Sequence, residues 1–226
     1  MSNWELVNLG EQLSNFVVGT EGNVSRRTSS GFIIKASGHS LKDMHLKESV
    51  VACDLSGSPL EGQEAKPSME TSFHSWIYSN SNCKYIAHTH PTNTLKILCT
   101  DFLVNEFSIR RLFPDQVVFN GQESCVVLYA TPGEDLTEEI KESVSLYKKR
   151  HNTFPKLLLL KNHGIICCAD TAKEAIIMTE ICEKAAEVFL GAKALRAPSP
   201  CLDYLSDLEV ESLINNDHEK YRKELV

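Results

Sequence analysis

LLLLKNHGIICCADTAKE, residues 157–174, decides the fold of this chain. Leu157-Leu158-Leu159-Leu160 and Ile165-Ile166-Cys167-Cys168 are two short apolar runs on either side of Lys161-Asn162-His163-Gly164. Apolar runs that short, separated by Asn and Gly, read as two buried strands joined by a tight turn. A tight turn makes the two strands antiparallel. A helix then opens at Thr171-Ala172-Lys173-Glu174, where Thr and a Glu three positions on form a capping-box pattern. Ala172, Ala175, Ile176, Thr179, Cys182, Ala186 and Phe189 fall on one face of that helix.

Outward from this hairpin, strands and helices alternate irregularly. Leu6, Leu9, Leu13, Phe16 and Val17 have helical spacing over 4–18, and Gly19 to Asn23 ends that helix. Further strands are expected at Phe32–Ile34, Val50–Cys53, Lys84–His88 and Val126–Tyr129. Helices are expected from Ser68 to Tyr78, from Pro91, and over the charged stretch 134–150. With several short strand connections, this order predicts an α/β sandwich around a mixed, largely antiparallel sheet rather than a doubly wound parallel one. The 226 residues suffice for one large domain, 1–226, with a substantial core.

Composition narrows the function. Hydrophobic residues make up 42% and charged residues 23% of the chain, the balance of a globular protein. A net charge of −7 argues against nucleic acid as a partner. No apolar run approaches the roughly 18–20 residues of a membrane span, so no membrane partner is expected. The opening MSNWELVNLGEQ lacks the basic and apolar regions of a secretory leader. Eight cysteines, at 53, 83, 99, 125, 167, 168, 182 and 201, form no CxxC pair. They read as buried, reduced thiols of a cytoplasmic protein.

The chemistry concentrates on histidine. In KYIAHTHPTN (84–93), His88 and His90 close an apolar strand. Side chains two apart on a strand share a face, so both imidazoles can aim at one point, and convergent neutral imidazoles are the start of a divalent-metal site. His163, in the turn beside Gly164, is a third candidate, with a capping or core role as the alternative. Glu70, early in the helix expected from Ser68, is either a solvated charge favoured by the helix dipole or a general base or ligand beside a metal. His74 lies four residues on, on the same face, and reads as a supporting or structural residue. Thr20 to Ser25 and Ala36-Ser37-Gly38 are small-residue loops able to offer backbone N–H groups and hydroxyls to an anion, and Ser68 could add another donor.

Taken together and in order, TEGNVSRR (20–27), KASG (35–38), KPSMETSFH (66–74), KYIAHTHPTN (84–93) and LLLLKNHGIICCADTAKEAIIMTEICEKAAEVFL (157–190) resemble the class II aldolase/adducin family, and within it the fuculose- and rhamnulose-phosphate aldolases. The resemblance implies a three-layer α/β/α fold around a mainly antiparallel sheet. It implies a catalytic zinc on His88, His90 and His163, with Glu70 as acid/base. It implies a sugar phosphate as substrate, its phosphate held by Gly22, Asn23, Ser37, Gly38 and Ser68. It further implies a homotetramer with sites between subunits. The expected reaction is retro-aldol cleavage through a metal-stabilised enediolate. The rivals are a phosphopentose 4-epimerase or a sugar-phosphate dehydratase on the same scaffold, or a non-catalytic adducin-like binding domain. Met69 stands where such aldolases commonly carry a second hydroxyl before the Glu, so the substrate is the less determined part.

Overall fold

The computed structural model of the protein describes residues 4–45, 47–195 and 202–226. Cys201 lies outside them. Seven strands form one sheet: β1 (Asn23–Arg27), β2 (Gly31–Lys35), β3 (Val50–Asp54), β4 (Tyr85–Thr89), β5 (Cys125–Val127), β6 (Leu157–Leu160) and β7 (Gly164–Ala169). Their order across the sheet is β3-β2-β1-β4-β7-β6-β5. Every pairing is antiparallel except β5 with β6, which is parallel. The mixed, mainly antiparallel sheet expected from the sequence is the one observed.

The helices are α1 (Trp4–Leu13), α2 (Thr71–Asn80), α3 (Thr92–Leu98), α4 (Asp101–Ile109), α5 (Pro114–Asn120), α6 (Glu134–His151), α7 (Ala172–Ala194), α8 (Asp207–Asn215) and α9 (Asp217–Glu224). Strand alternation splits the core into two layers. Leu157, Leu159, Ile165, Cys167 and Ala169 face α1, α3, α4 and α7 through Leu9, Ile97, Phe107 and Phe189. Leu158, Leu160, Ile166 and Cys168 face α2 and α6 through Phe73, Ile77, Ile140 and Tyr147. Leu136, Ile140, Val144 and Tyr147 are buried along α6, at helical spacing. Acidic residues in its first turn and basic ones in its last complement the helix dipole, and Asn152 in the left-handed region (φ 52) ends it. On α7 the Thr171 side chain accepts the Glu174 N–H at 2.9 Å, as the sequence pattern predicts.

Several boundaries differ from the sequence expectations. Asn23-Val24-Ser25, read as loop, are the start of β1 at the centre of the sheet, because β2 and β4 supply ladder partners on both sides. The α2 helix starts at Thr71 instead of Ser68: Ser68 carbonyl accepts both the Thr71 N–H (3.1 Å) and its hydroxyl (2.6 Å), a turn that precedes the helix. The first helix stops at Leu13 and tightens into a 3₁₀ turn over Ser14–Phe16. The strand expected at Val126–Tyr129 lies at Cys125–Val127, leaving Leu128 and Tyr129 exposed.

Register fixes one end of the sheet as a meeting place. Asn23 on β1 lies opposite His88 on β4, Thr89 lies opposite Ile165 on β7, and Leu160 pairs with Gly164 across the hairpin. A bridge from Ala36 to Pro67 brings the segment before α2 to the same end. Two glycines permit this crowding. A Cβ on Gly164 would run into the Thr89 carbonyl and the His90 ring. Gly22 has φ +65, and a Cβ there would fall 2.7 Å from the His88 carbonyl oxygen.

Candidate metal centre

His88, His90 and His163 do converge. Their candidate ligand atoms all lie within 4.8 Å of one another. The rings are edge-on in pairs, with centroids 4.8 to 5.1 Å apart. His88 Nδ1 sits 2.9 Å from the Ile165 carbonyl. A carbonyl only accepts, so Nδ1 carries the proton and the Nε2 lone pair is left facing the centre. His90 Nε2 is 3.1 Å from His88 Nε2.

Glu70 closes the cluster from the start of α2. Its Oε2 lies 3.2 Å from His88 Nε2 and its Oε1 lies 3.4 Å from His163 Nε2. Glu70 Oε1 is buried and without a hydrogen-bond partner among the described residues. An orphaned carboxylate oxygen beside three imidazole nitrogens is the donor set that a divalent cation satisfies. The residues present therefore fit a metal.

Burial alone would raise the Glu70 carboxyl, but His88, His163 and the Asn23 amide hold it well below the usual carboxylate range. Burial lowers His88, yet the Glu70 charge and hydrogen bond outweigh it and raise His88 above its ordinary value. Without a cation, a proton on His88 thus answers the Glu70 charge. Burial, reinforced by His88, pushes His90 down to about 3 and His163 down to about 4. Both stay neutral and open to a metal at neutral pH.

Behind Glu70 runs a hydrogen-bond chain that the sequence alone did not disclose. Asn23 Nδ2 donates to Glu70 Oε2 at 2.8 Å and to Ser68 Oγ at 3.2 Å. That fixes the amide orientation and leaves Asn23 Oδ1 to accept from His74 Nε2 at 2.5 Å. His74 Nδ1 then accepts from Ser25 Oγ at 2.7 Å, and Ser25 Oγ accepts from Tyr78 OH at 2.8 Å. Directions are forced because a carboxylate has only acceptors to offer. His74 is fully buried and belongs to this support. The pattern that could have pointed to Ser25 is its place two residues after Asn23, on the same face of β1.

The remaining sequence candidates gather beside the cluster. Ser68 Oγ accepts the Glu70 N–H at 3.3 Å as well as the Asn23 amide. Ser37 and Gly38 follow β2, and the Ser37 N–H donates to the Lys66 carbonyl at 2.9 Å, alongside the run into Ser68. Gly38 has φ +78 and both residues are exposed. Gly22 precedes Asn23 under the His88 carbonyl. Met69 is 78% exposed, so its thioether faces solvent and takes no place in the buried network. Lys35, not singled out by the sequence, is 2% exposed and donates to the Thr20 and His39 carbonyls at 3.1 and 2.6 Å. Burial lowers it to about 8, against the pull of Glu70. It ties together the two loops that flank Gly22 and Gly38.

The described cysteines are free, and among the described residues no helix is long and apolar enough to cross a membrane.

The sequence and fold have counterparts among known proteins. The chain is 28% identical to the 3-oxo-tetronate 4-phosphate decarboxylase of Haemophilus influenzae, over 93% of this chain and 94% of that one. It is 30% identical to the L-fuculose phosphate aldolase of Escherichia coli K12, over 85% of this chain and 81% of that one. Among solved structures, the Klebsiella pneumoniae protein YgbL, described as a candidate aldolase/epimerase/decarboxylase, superposes with a TM-score of 0.76 at 26% identity, covering 93% of this chain and 96% of its own. The model of the Class II Aldolase and Adducin N-terminal domain matches residues 6–190. With the antiparallel core, the three histidines and Glu70 inside that span, the chain belongs to the class II aldolase/adducin family.

Proposed function

We propose that the protein is a zinc-dependent carbon–carbon lyase that cleaves a sugar phosphate by a retro-aldol reaction through an enediolate. The observation that carries this reading is the convergence of three imidazoles on a buried carboxylate with an unpaired oxygen. His88, His90 and His163 would hold the cation, and nitrogen ligands of this kind suit zinc. The cation supplies Lewis-acid stabilisation of developing negative charge on the substrate's oxygens.

The chain's own residues divide the remaining work. Glu70, ionised and held by Asn23, takes the proton from the substrate hydroxyl and returns one to the enediolate carbon. The Tyr78-to-Asn23 chain keeps that carboxylate in one orientation. The Asn23 amide, the Ser37 and Ser68 hydroxyls and the backbone at Gly22 and Gly38 form the phosphate cradle, and the Lys35 ammonium beneath it favours an anion. Exposed Met69, Phe102, Leu128 and Tyr129 crown the same end of the sheet. That apolar rim supports a homotetramer with its sites at subunit boundaries.

A second reading is decarboxylation, favoured by the near full-length match to the Haemophilus influenzae decarboxylase. Loss of CO₂ from a 3-oxo acid leaves an enediolate just as retro-aldol cleavage does. Only the aldol route requires a base to remove a hydroxyl proton in the cleaving step. The test supplies zinc-loaded protein with L-fuculose 1-phosphate and, separately, with 3-oxo-tetronate 4-phosphate, and follows dihydroxyacetone phosphate. Turnover of the sugar phosphate, abolished by chelation and lowered ~10²–10⁴-fold in Glu70→Gln, is the expected result. Release of CO₂ from the oxo acid alone would select the second reading, and no product from either would remove both.

A further inference from the structure

The last two helices, α8 and α9, pack back against α5, and a cavity of about 380 Å³ lies between these helices, Tyr147 of α6 and the segment that follows α6. It shares no residue with the metal centre. That volume is within the range of small-molecule sites. Its walls are largely apolar, with Val117, Phe154, Leu213 and Ile214 among them.

Two observations make it more than a packing gap. Asn120, the last residue of α5, lines it and is 1% exposed, yet neither its Nδ2 nor its Oδ1 has a hydrogen-bond partner among the described residues. A buried amide with both ends unpaired is a group awaiting a partner. Lys156 and Lys223 also line the cavity, and both turn to the same carboxylate oxygen, Glu174 Oε1, at 3.6 and 2.9 Å. The other oxygen, Glu174 Oε2, accepts the Asp170 N–H at 2.9 Å. One carboxylate oxygen thus serves two ammonium groups, and an additional anion there would complete their pairing. The remaining charged side chains of the lining are already matched: Lys220 pairs with Asp217, and Glu219 with Arg222.

We propose that this cavity binds a small carboxylic acid with a ring-sized apolar body and a hydroxyl group. The carboxylate would meet Lys156 and Lys223. The hydroxyl would donate to Asn120 Oδ1 and accept from Nδ2 after a small turn of the amide. The ring would lie against Val117, Phe154 and the α8 leucine and isoleucine.

The probe is 3-(4-hydroxyphenyl)propionate, titrated calorimetrically into the full-length protein. Its controls are 3-phenylpropionate, which lacks the hydroxyl, and tyramine, which reverses the charge. Saturable 1:1 binding of the hydroxy acid is expected. The deoxy acid should bind about tenfold more weakly, and tyramine should not bind. Asn120→Leu should cost the hydroxy acid a similar tenfold while leaving the deoxy acid unaffected, and its melting temperature should not fall, since the orphaned amide is gone. Should that variant fail to fold, Lys223→Met carries the test and should weaken both acids alike. Absence of saturable binding to the wild type, equal binding of tyramine, or binding indifferent to both substitutions would overturn the proposal.

Discussion

Replacing Asn23 and Glu70 by Ala, singly and together, should reveal a strong coupling between the two side chains. Asn23 Nδ2 donates to Glu70 Oε2 at 2.8 Å, with Asn23 at 2% and Glu70 at 8% exposure, so water competes little for the bond. A hydrogen bond to a charged group contributes about 1.5–3 kcal/mol. Each single variant loses more than this bond. Asn23→Ala also strands Ser68 and His74, and Glu70→Ala also releases His88 and His163. The double-mutant cycle subtracts those separate losses and leaves the pairwise part. The assay is urea unfolding of the four proteins at pH 7 with chelator present, so that no cation adds to native stability. A coupling energy of about 1.5–3 kcal/mol is expected. A value below about 0.5 kcal/mol, as for independent sites, would refute the claim that Asn23 fixes the Glu70 carboxylate.

Two further outcomes follow from the same geometry. Gly164→Ala should destabilise the fold by about 1–3 kcal/mol, the cost of forcing atoms into a packed site, and should weaken zinc affinity because the added methyl displaces the His90 ring; unchanged melting and zinc titration would contradict this. Burial, aided by the His88 charge, pushes His74 down to about 3 from 6.5, so its folded value lies below its unfolded one. The stability that neutral His74 contributes is therefore complete above pH 6.5 and is lost as pH falls from there towards 3. The stability gap between chelated wild type and His74→Gln should narrow by about 1.4 kcal/mol per pH unit below 6.5, and a pH-independent gap in urea unfolding would show that His74 titrates in the folded protein.

What the sequence discloses and what it withholds follow from how local each signal is. The Leu157–Cys168 hairpin is legible because turn chemistry and apolar runs sit side by side, and the HxH pair is legible because strand alternation alone puts two imidazoles on one face. The β1 strand is not: Asn-Val-Ser-Arg-Arg has the composition of a loop and becomes a central strand only through partners far along the chain. The same holds for the support of Glu70. Ser25 is on β1 while His74 and Tyr78 are on α2, and their hydrogen-bond order exists only once β1 lies against α2. Lys35 is likewise silent in sequence, since a strand-end lysine is normally solvated. The short helices α4 and α5 and the final pair α8 and α9 lack the long periodic face that made α7 visible.

The meeting of Asn23, His88 and Gly164 at one end of β1, β4 and β7 has a consequence for the order of assembly. These positions are remote in the chain, so the candidate centre is a product of long-range loop closure, whose entropy must be met before any two of its groups can meet. No fragment holding only KYIAHTHPTN or only KNHG presents the cluster. A cation seated among His88, His90 and His163 would recognise the finished sheet and not the unfolded chain, so it would act as a non-covalent tie across the long loop from His90 to His163 and draw the folding equilibrium towards the native state. The candidate centre would in this sense also be a checkpoint, since its histidines meet only when β4 and β7 are in register.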